Sequence, residues 1–240
     1  MTPRLRMLAG PNGSGKSTLA KQLVNDYAVN LYKFLNADML FAEIASSGKT
    51  ACPFSIDNQE LLDFIATSTY PEYCKQPFQD HRISINDDDY LIFVPEAINS
   101  YTVAMVADFF KEQYLKRHLS FSFETVFSHP AKIEILKRAQ AEGFRTYMYF
   151  VATETPDVNL KRIKQRVKNG GHYVPEDKTI ARYHRCLEQI KYALPYLHRA
   201  YFFDNSTNHS VFFAEYELGK GIQIYSESVP EWFKRAVFGE

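Results

Sequence analysis

Eight consecutive residues near the start of the chain, Gly10-Pro11-Asn12-Gly13-Ser14-Gly15-Lys16-Ser17, have the types and spacing of a loop that holds phosphate. Glycines allow backbone conformations closed to other residues, so several N–H groups can converge on phosphate oxygens. Lys16 would reach the outer phosphates of a nucleotide, and the Ser17 hydroxyl would ligate the Mg²⁺ that travels with it. Thr18 follows in the same turn. A helix starting near Ser17 would aim its positive end at the same charges. A dinucleotide-binding reading of Gly13-Ser14-Gly15 fails, because its third glycine position is Thr18 and the Lys-Ser pair has no role there.

Phosphate chemistry also needs carboxylates. Asp38, Glu124 and Asp204 each follow a short apolar run that reads as a strand. The C-terminal ends of strands are where open α/β sheets bind ligands. In phosphoryl transfer one carboxylate takes the proton of the attacking hydroxyl, and another steadies the metal. Asp38 is the candidate base, and it also suits the N-cap of a helix over 38–45. Glu124 suits either Mg²⁺, through water, or the acceptor. Asp204 opens a polar Asn-Ser-Thr-Asn loop and reads as a turn residue.

Residues 161–185 carry eight bases against two acids. Arg162 and Arg166 share a helix face, as do Arg182 and Arg185, and Gly170-Gly171-His172 would hinge between the two helices. Downstream of a phosphate loop, this pattern reads as a lid whose arginines neutralise a transferring phosphoryl group. Alone it would read as a solvated basic face.

These groups must be held by a scaffold. Apolar runs at 4–9, 31–35, 119–123, 144–152 and 200–203 alternate with helical patterns at 17–27, 130–141, 155–168 and 175–197. Strand–helix alternation predicts a doubly wound, parallel α/β sheet of five core strands, the Glu124 strand lying beside the phosphate-loop strand. Residues 46–117 break the alternation and read as a helical insertion within a single domain spanning 1–240. Residues 207–240 read as a small C-terminal β/α elaboration.

Composition sets outer bounds. Lys plus Arg equals Asp plus Glu at 28 each, so the whole chain offers no electrostatic footprint for nucleic acid or an anionic membrane. The balance is a cancellation: residues 38–108 hold twelve acids and three bases, against the basic stretch at 161–185. An acidic insertion counts against a polyanionic acceptor. Three cysteines without paired spacing argue against a disulfide framework or a cysteine zinc site. No apolar run reaches the length of a membrane span, so the expected setting is soluble, reducing and cytoplasmic.

Several segments together resemble the zeta toxin family of P-loop kinases. They are Gly10–Thr18, Asn36-Ala37-Asp38, Glu124-Thr125-Val126-Phe127-Ser128, the run Arg166 to Glu176 with its Gly-Gly-His-Tyr-Val-Pro-Glu, Ile180–Leu187, and Phe203-Asp204-Asn205-Ser206. Order and spacing agree over about residues 4–45 and 118–206. The resemblance implies a kinase-like P-loop fold, ATP with Mg²⁺, and transfer of the γ-phosphate to a hydroxyl, in well-studied members that of UDP-N-acetylglucosamine. It places Lys16 and Asp38 in catalysis. It puts phosphate-binding arginines among Arg166, Arg182 and Arg185, and the acceptor against Asn36, Glu124 and Thr125. It also implies an antitoxin protein as partner. The chain departs from the pattern at Ala181, where the family has arginine, and across the unalignable 46–117. Two other readings stay open on the residues: a nucleic-acid 5′-hydroxyl kinase with the basic lid as its groove, and an ATP-binding interaction module without useful turnover.

Overall fold

The computed structural model describes residues 2–168, 174–207 and 209–239. The chain begins with β1 (Arg4–Ala9), α1 (Lys16–Asn25) and β2 (Lys33–Leu35). It continues through α2 (Ala37–Ser47), β3 (Lys49–Ala51), α3 (Asn58–Thr67), α4 (Glu72–Gln79), β4 (Ile83–Ile85), β5 (Tyr90–Phe93) and α5 (Ser100–Lys116). It then returns with β6 (Phe121–Thr125), α6 (Ala131–Ala141), β7 (Arg145–Ala152), α7 (Pro156–Lys168), α8 (Glu176–Glu188), α9 (Ile190–Ala193) and β8 (Arg199–Asp204). The last elements are β9 (Val211–Glu217), β10 (Gly221–Ile224) and the turn α10 (Glu231–Phe233).

Two compact units result, one of residues 1–34 with 120–240 and one of 35–119. The first is built on a seven-stranded sheet in the order β10-β9-β8-β7-β1-β6-β2. β1 pairs in parallel with β6 and β7, and β7 in parallel with β8. The Glu124 strand therefore lies next to the phosphate-loop strand, as the sequence pattern predicts. β9 and β10 add antiparallel strands to the β8 edge, so the C-terminal elaboration widens the same sheet.

Alternation along β7 explains why helices cover both faces. Tyr149 and Val151 join Leu8 of β1 under Leu19 and Leu23 of α1. The intervening Phe150 points the other way and meets Trp232 at 5.8 Å, while Phe202 of β8 meets Phe233 at 4.8 Å. Trp232 and Phe233 are fully buried, so α10 caps that face with aromatic area out of proportion to its length. The Trp232 indole N–H donates to Asp204 at 2.9 Å, and Ser206 donates to the same carboxylate through its backbone and its hydroxyl. Asp204 is thus a structural acceptor, in line with its turn reading.

The second unit corrects the expected insertion in two respects. Besides helices it holds a three-stranded antiparallel sheet in the order β3-β5-β4. It also takes in α2, so it extends from 35 to 119 rather than from 46 to 117. Helix α5 runs through its centre, burying Val103, Val106 and Phe109. Lys111 is nearly buried there and pairs with Asp108, which also accepts from the Tyr70 hydroxyl at 2.8 Å. A buried cation is tolerable only with such a partner. Burial, reinforced by the Asp108 charge, pushes the Tyr70 phenol well above its usual range.

Among the described residues no helix is long and apolar enough to cross a membrane.

Candidate active site at the C-terminal edge of the sheet

The phosphate loop joins β1 to α1, as its residue types require. Gly10 adopts φ +152°, and a Cβ there would lie 2.1 Å from the Val151 carbonyl oxygen of the neighbouring strand. Gly15 adopts φ +98°, and its Cβ would lie 2.2 Å from Nδ2 of Asn205. Only glycine fits either place. Gly15 also occupies the N-cap of α1 and has no side chain to cap with. The first-turn N–H groups of Lys16, Ser17 and Thr18 therefore lack intrahelical acceptors and face an anion-binding position.

Two buried asparagines hold the loop from behind. Asn159 of α7 donates to the Asn12 carbonyl at 2.6 Å, and Asn205 after β8 donates to the Ser14 carbonyl at 2.7 Å. Asn159 is itself fixed by the Thr153 hydroxyl. With these carbonyls committed, the concave side of the loop is left to N–H groups. Lys16 is only 7% exposed and its Nζ donates to the Pro11 carbonyl at 2.9 Å. The ammonium is thus curled over the loop it would serve.

Ser17 and Glu124 meet across 107 residues of chain: the hydroxyl donates to Oε2 of the carboxylate at 3.0 Å. The parallel register of β1 and β6 pairs Leu8 with Glu124 and brings that strand end to the loop. Two hard oxygens so placed fit the donor set that Mg²⁺ prefers. Thr125, the next residue, accepts from the Phe127 N–H at 3.3 Å, and Phe127 takes φ +61°. That hydroxyl shapes the turn after β6.

Helix α8 carries Arg182 and Arg185, each followed directly in the chain by an anchor, Tyr183 and Cys186. The Tyr183 hydroxyl donates to the Thr153 carbonyl at 2.6 Å, and the Cys186 thiol donates to the Val126 carbonyl at 2.9 Å. Complete burial holds the Cys186 thiol far above its usual range, against a small lowering by Lys16. It behaves as an apolar peg, not a nucleophile. Arg166 lies exposed in the last turn of α7, and Lys164 of α7 pairs with Glu176 of α8 at 2.8 Å. The expected hinge Gly170-Gly171-His172 lies outside the described residues.

Asn36 and Asp38 belong to the second unit. There the structure corrects the expected cap. Asn36, not Asp38, is the N-cap of α2, its side chain accepting from the backbone N–H groups of Asp38 at 2.9 Å and Met39 at 3.1 Å. Asn36 is therefore engaged in structure, while Asp38 stands exposed in the first helical turn, where the helix dipole favours a carboxylate.

Beside the loop lies a cavity of about 560 Å³, lined by Gly15, Thr18, Gln22, Arg162, Asn205 and Ser210 among others. Its size suits a nucleoside. Arg162 donates through Nη2 to the Thr207 carbonyl at 2.7 Å, and its buried Nη1 has no partner. Sequence reasoning missed three residues here. Arg162 was read as a lid arginine sharing a face with Arg166 and not as a wall of this cavity, and Asn159 and Asn205 were given no role. A signal for Asn159 exists: it shares the buried face of α7 with Ile163 at i,i+4, a place where a polar residue needs a partner.

Gly10→Ala is expected to weaken ATP affinity at least about tenfold, because the strain of a displaced β1–β7 contact is of order 1–3 kcal/mol. Titration with a fluorescent ATP analogue measures this, and wild-type affinity in the variant would show that the loop does not fit closely around phosphate.

No protein-family model matches the chain. It is 36% identical to an uncharacterized protein of Haemophilus influenzae over 69 residues, which are 29% of this chain and 49% of that protein. Among solved structures it superposes on the AvrRxo1-ORF1:-ORF2 complex with a TM-score of 0.57 and 14% identity, over 98% of this chain and 63% of that one. The same complex with ATP gives 0.57 and 15%, over 93% and 60%. The PezAT chromosomal toxin-antitoxin system of Streptococcus pneumoniae gives 0.50 and 13%, over 100% and 80%. The chain thus spans about half the length of the curated relative and under two thirds of the AvrRxo1 chain. What is shared at these identities is the fold alone, an α/β architecture on a seven-stranded sheet whose centre is parallel.

Proposed function

We propose that the chain is an ATP-dependent phosphotransferase that moves the γ-phosphoryl group of ATP to a hydroxyl of a small-molecule acceptor. The observation that carries the reading is the Ser17–Glu124 hydrogen bond of 3.0 Å at the mouth of a glycine-built loop containing Lys16. A merely phosphate-binding loop has no need of a carboxylate against its serine. Ser17 and Glu124 would hold Mg²⁺, which when bound spreads the negative charge of the β- and γ-phosphates. Gly10 to Thr18 would bind the triphosphate, and the cavity beside Gly15 and Arg162 would take the nucleoside.

In the proposed step the acceptor oxygen attacks the γ-phosphorus and its proton passes to the Asp38 carboxylate. The bond from γ-phosphorus to the bridging oxygen breaks, and ADP leaves with that electron pair. Lys16, with Arg166, Arg182 and Arg185, would stabilise the charge on the transferring group. Asn36 would act by presenting Asp38, and Thr125 by shaping the turn on the acceptor side. UDP-N-acetylglucosamine is the first acceptor to try, on the strength of the family resemblance. An antitoxin-type protein is the proposed partner, since solved relatives of the fold come from a complex and from a toxin-antitoxin system.

The test is incubation with γ-labelled ATP, UDP-sugars, a metabolite extract and a 5′-hydroxyl oligonucleotide in parallel. Label is expected in a small-molecule product. Label in the oligonucleotide alone would replace this reading with nucleic-acid phosphorylation. ATP binding without any transfer would replace it with a binding module.

A further inference from the structure

The seven-stranded sheet ends on one side at β10, the hairpin partner of β9. The ladder between these strands fixes which backbone groups are used. The Tyr225 N–H donates to the Phe213 carbonyl at 2.8 Å, and the register runs unshifted from there to the pair Gly221 and Glu217. Hydrogen-bonded and non-hydrogen-bonded pairs alternate along an antiparallel ladder. Tyr225, Gln223 and Gly221 therefore turn their backbone polar groups toward β9, and Ile222 and Ile224 turn theirs away. Among the described residues no backbone group pairs with the N–H or C=O of either isoleucine.

An open edge is commonly guarded by a charged side chain, a proline or a bulge. Gly221-Ile222-Gln223-Ile224 has none of these. The strand is short, so the residues flanking it must add to whatever its edge binds. Those flanks are apolar. Ile224 lies opposite Ala214, and Ala214 opposite Phe202, whose ring meets Phe233. Both isoleucines thus stand on the α10 face of the sheet, where Phe238 packs on Phe233 at 5.7 Å. Ile224 and Phe238 are each nearly half exposed. The other face of the edge carries Gln223 and Tyr225, whose hydroxyl donates to Oε1 of Gln223 at 2.9 Å.

The spacing of the outward groups selects the occupant. A second β10, running antiparallel about a two-fold axis at Gln223, sets Ile222 of each copy against Ile224 of the other. Each such pair exchanges two hydrogen bonds, so every outward N–H and C=O of both edges is satisfied. The isoleucines meet as cross-strand apolar pairs on one face, and Gln223 meets its own copy on the other. The paired segment contains no charge, so the symmetry brings no like charges together. We propose that β10 is a homodimer interface, pairing with β10 of a second copy about that axis and joining the two sheets into one. The interface does not depend on the phosphotransferase reading.

Sedimentation velocity of the full chain over a concentration series tests the assignment, with a melting curve for each variant. The wild type is expected to show a concentration-dependent equilibrium between monomer and dimer. Ile224→Pro removes an outward N–H and no bond to β9, and Ile224→Lys puts a charge on the edge. Each should weaken dimerisation at least about tenfold while the melting temperature stays near that of the wild type. Cysteine substitution tests the axis. Under mild oxidation Gln223→Cys should link two copies, because residues facing each other in a non-hydrogen-bonded pair lie about 4.5 Å apart, within disulfide reach. Lys220→Cys should not, since the axis sets its two copies about 20 Å apart. The wild type, whose Cys74 and Cys186 are buried, gives the background. A chain that stays monomeric up to about 1 mM would overturn the proposal. So would a dimer indifferent to both Ile224 variants, or cross-linking by Lys220→Cys as readily as by Gln223→Cys.

Discussion

Lys16→Ala is expected to lower the rate of phosphoryl transfer by about a thousandfold, the scale seen when a preorganised charge is removed from a transferring phosphoryl group. The argument rests on where the ammonium already is. Lys16 is nearly buried, and its Nζ is held by the Pro11 carbonyl inside the loop. The charge is therefore positioned before any nucleotide arrives and needs only to exchange one oxygen acceptor for another. The hydrogen bond to the loop carbonyl is worth about 1 kcal/mol to folding. Single-turnover transfer from γ-labelled ATP, with a melting curve as control, separates the two effects. A transfer rate within about threefold of the wild type would remove Lys16 from the chemistry.

The loop could be read from residue types because its demands are local. Gly10 and Gly15 sit where neighbouring atoms leave no room for a Cβ, and that requirement is written in the sequence as glycine. The role of Glu124 was half legible: its place at a strand end could be read, but its meeting with Ser17 depends on the β1–β6 register. Asn159 and Asn205 were not legible as loop supports, because each acts on a carbonyl far away in the chain. Periodicity sees which face of a helix is buried and not what lies across from it.

The second unit was misread for a different reason. β3 and β4 have three residues each and β5 has four. Runs that short show too few alternations to stand apart from loop. The helices around them, α3 and α5, carry the periodicity that made the segment read as helical. At α2 the cap was expected at Asp38, and which residue of a short polar stretch fills that position is decided by local geometry. The structure resolves it through the Asn36 side chain, which accepts from two backbone N–H groups. That outcome matters for function, because a carboxylate spent on capping would be less available to take a proton.

Asp38→Asn should therefore be the variant that isolates the chemical step. Its predicted effect is a fall in transfer rate of about 10²–10⁴-fold, the usual worth of a positioned general base, with ATP affinity unchanged. Asparagine is isosteric and keeps the backbone N–H that donates to Asn36, so α2 should start where it does in the wild type. Asn36→Ala is the contrast. It removes the cap, which costs about 1 kcal/mol of local stability, and it leaves the carboxylate in place on a frayed helix end. If Asp38 is the base, Asp38→Asn loses rate at every pH, whereas Asn36→Ala keeps part of the rate and gains from lower temperature as the helix end reforms. Transfer by Asp38→Asn at the wild-type rate would move the base elsewhere. An equal loss in both variants, recovered by neither cooling nor higher acceptor concentration, would assign the segment to folding of the second unit instead of to proton transfer.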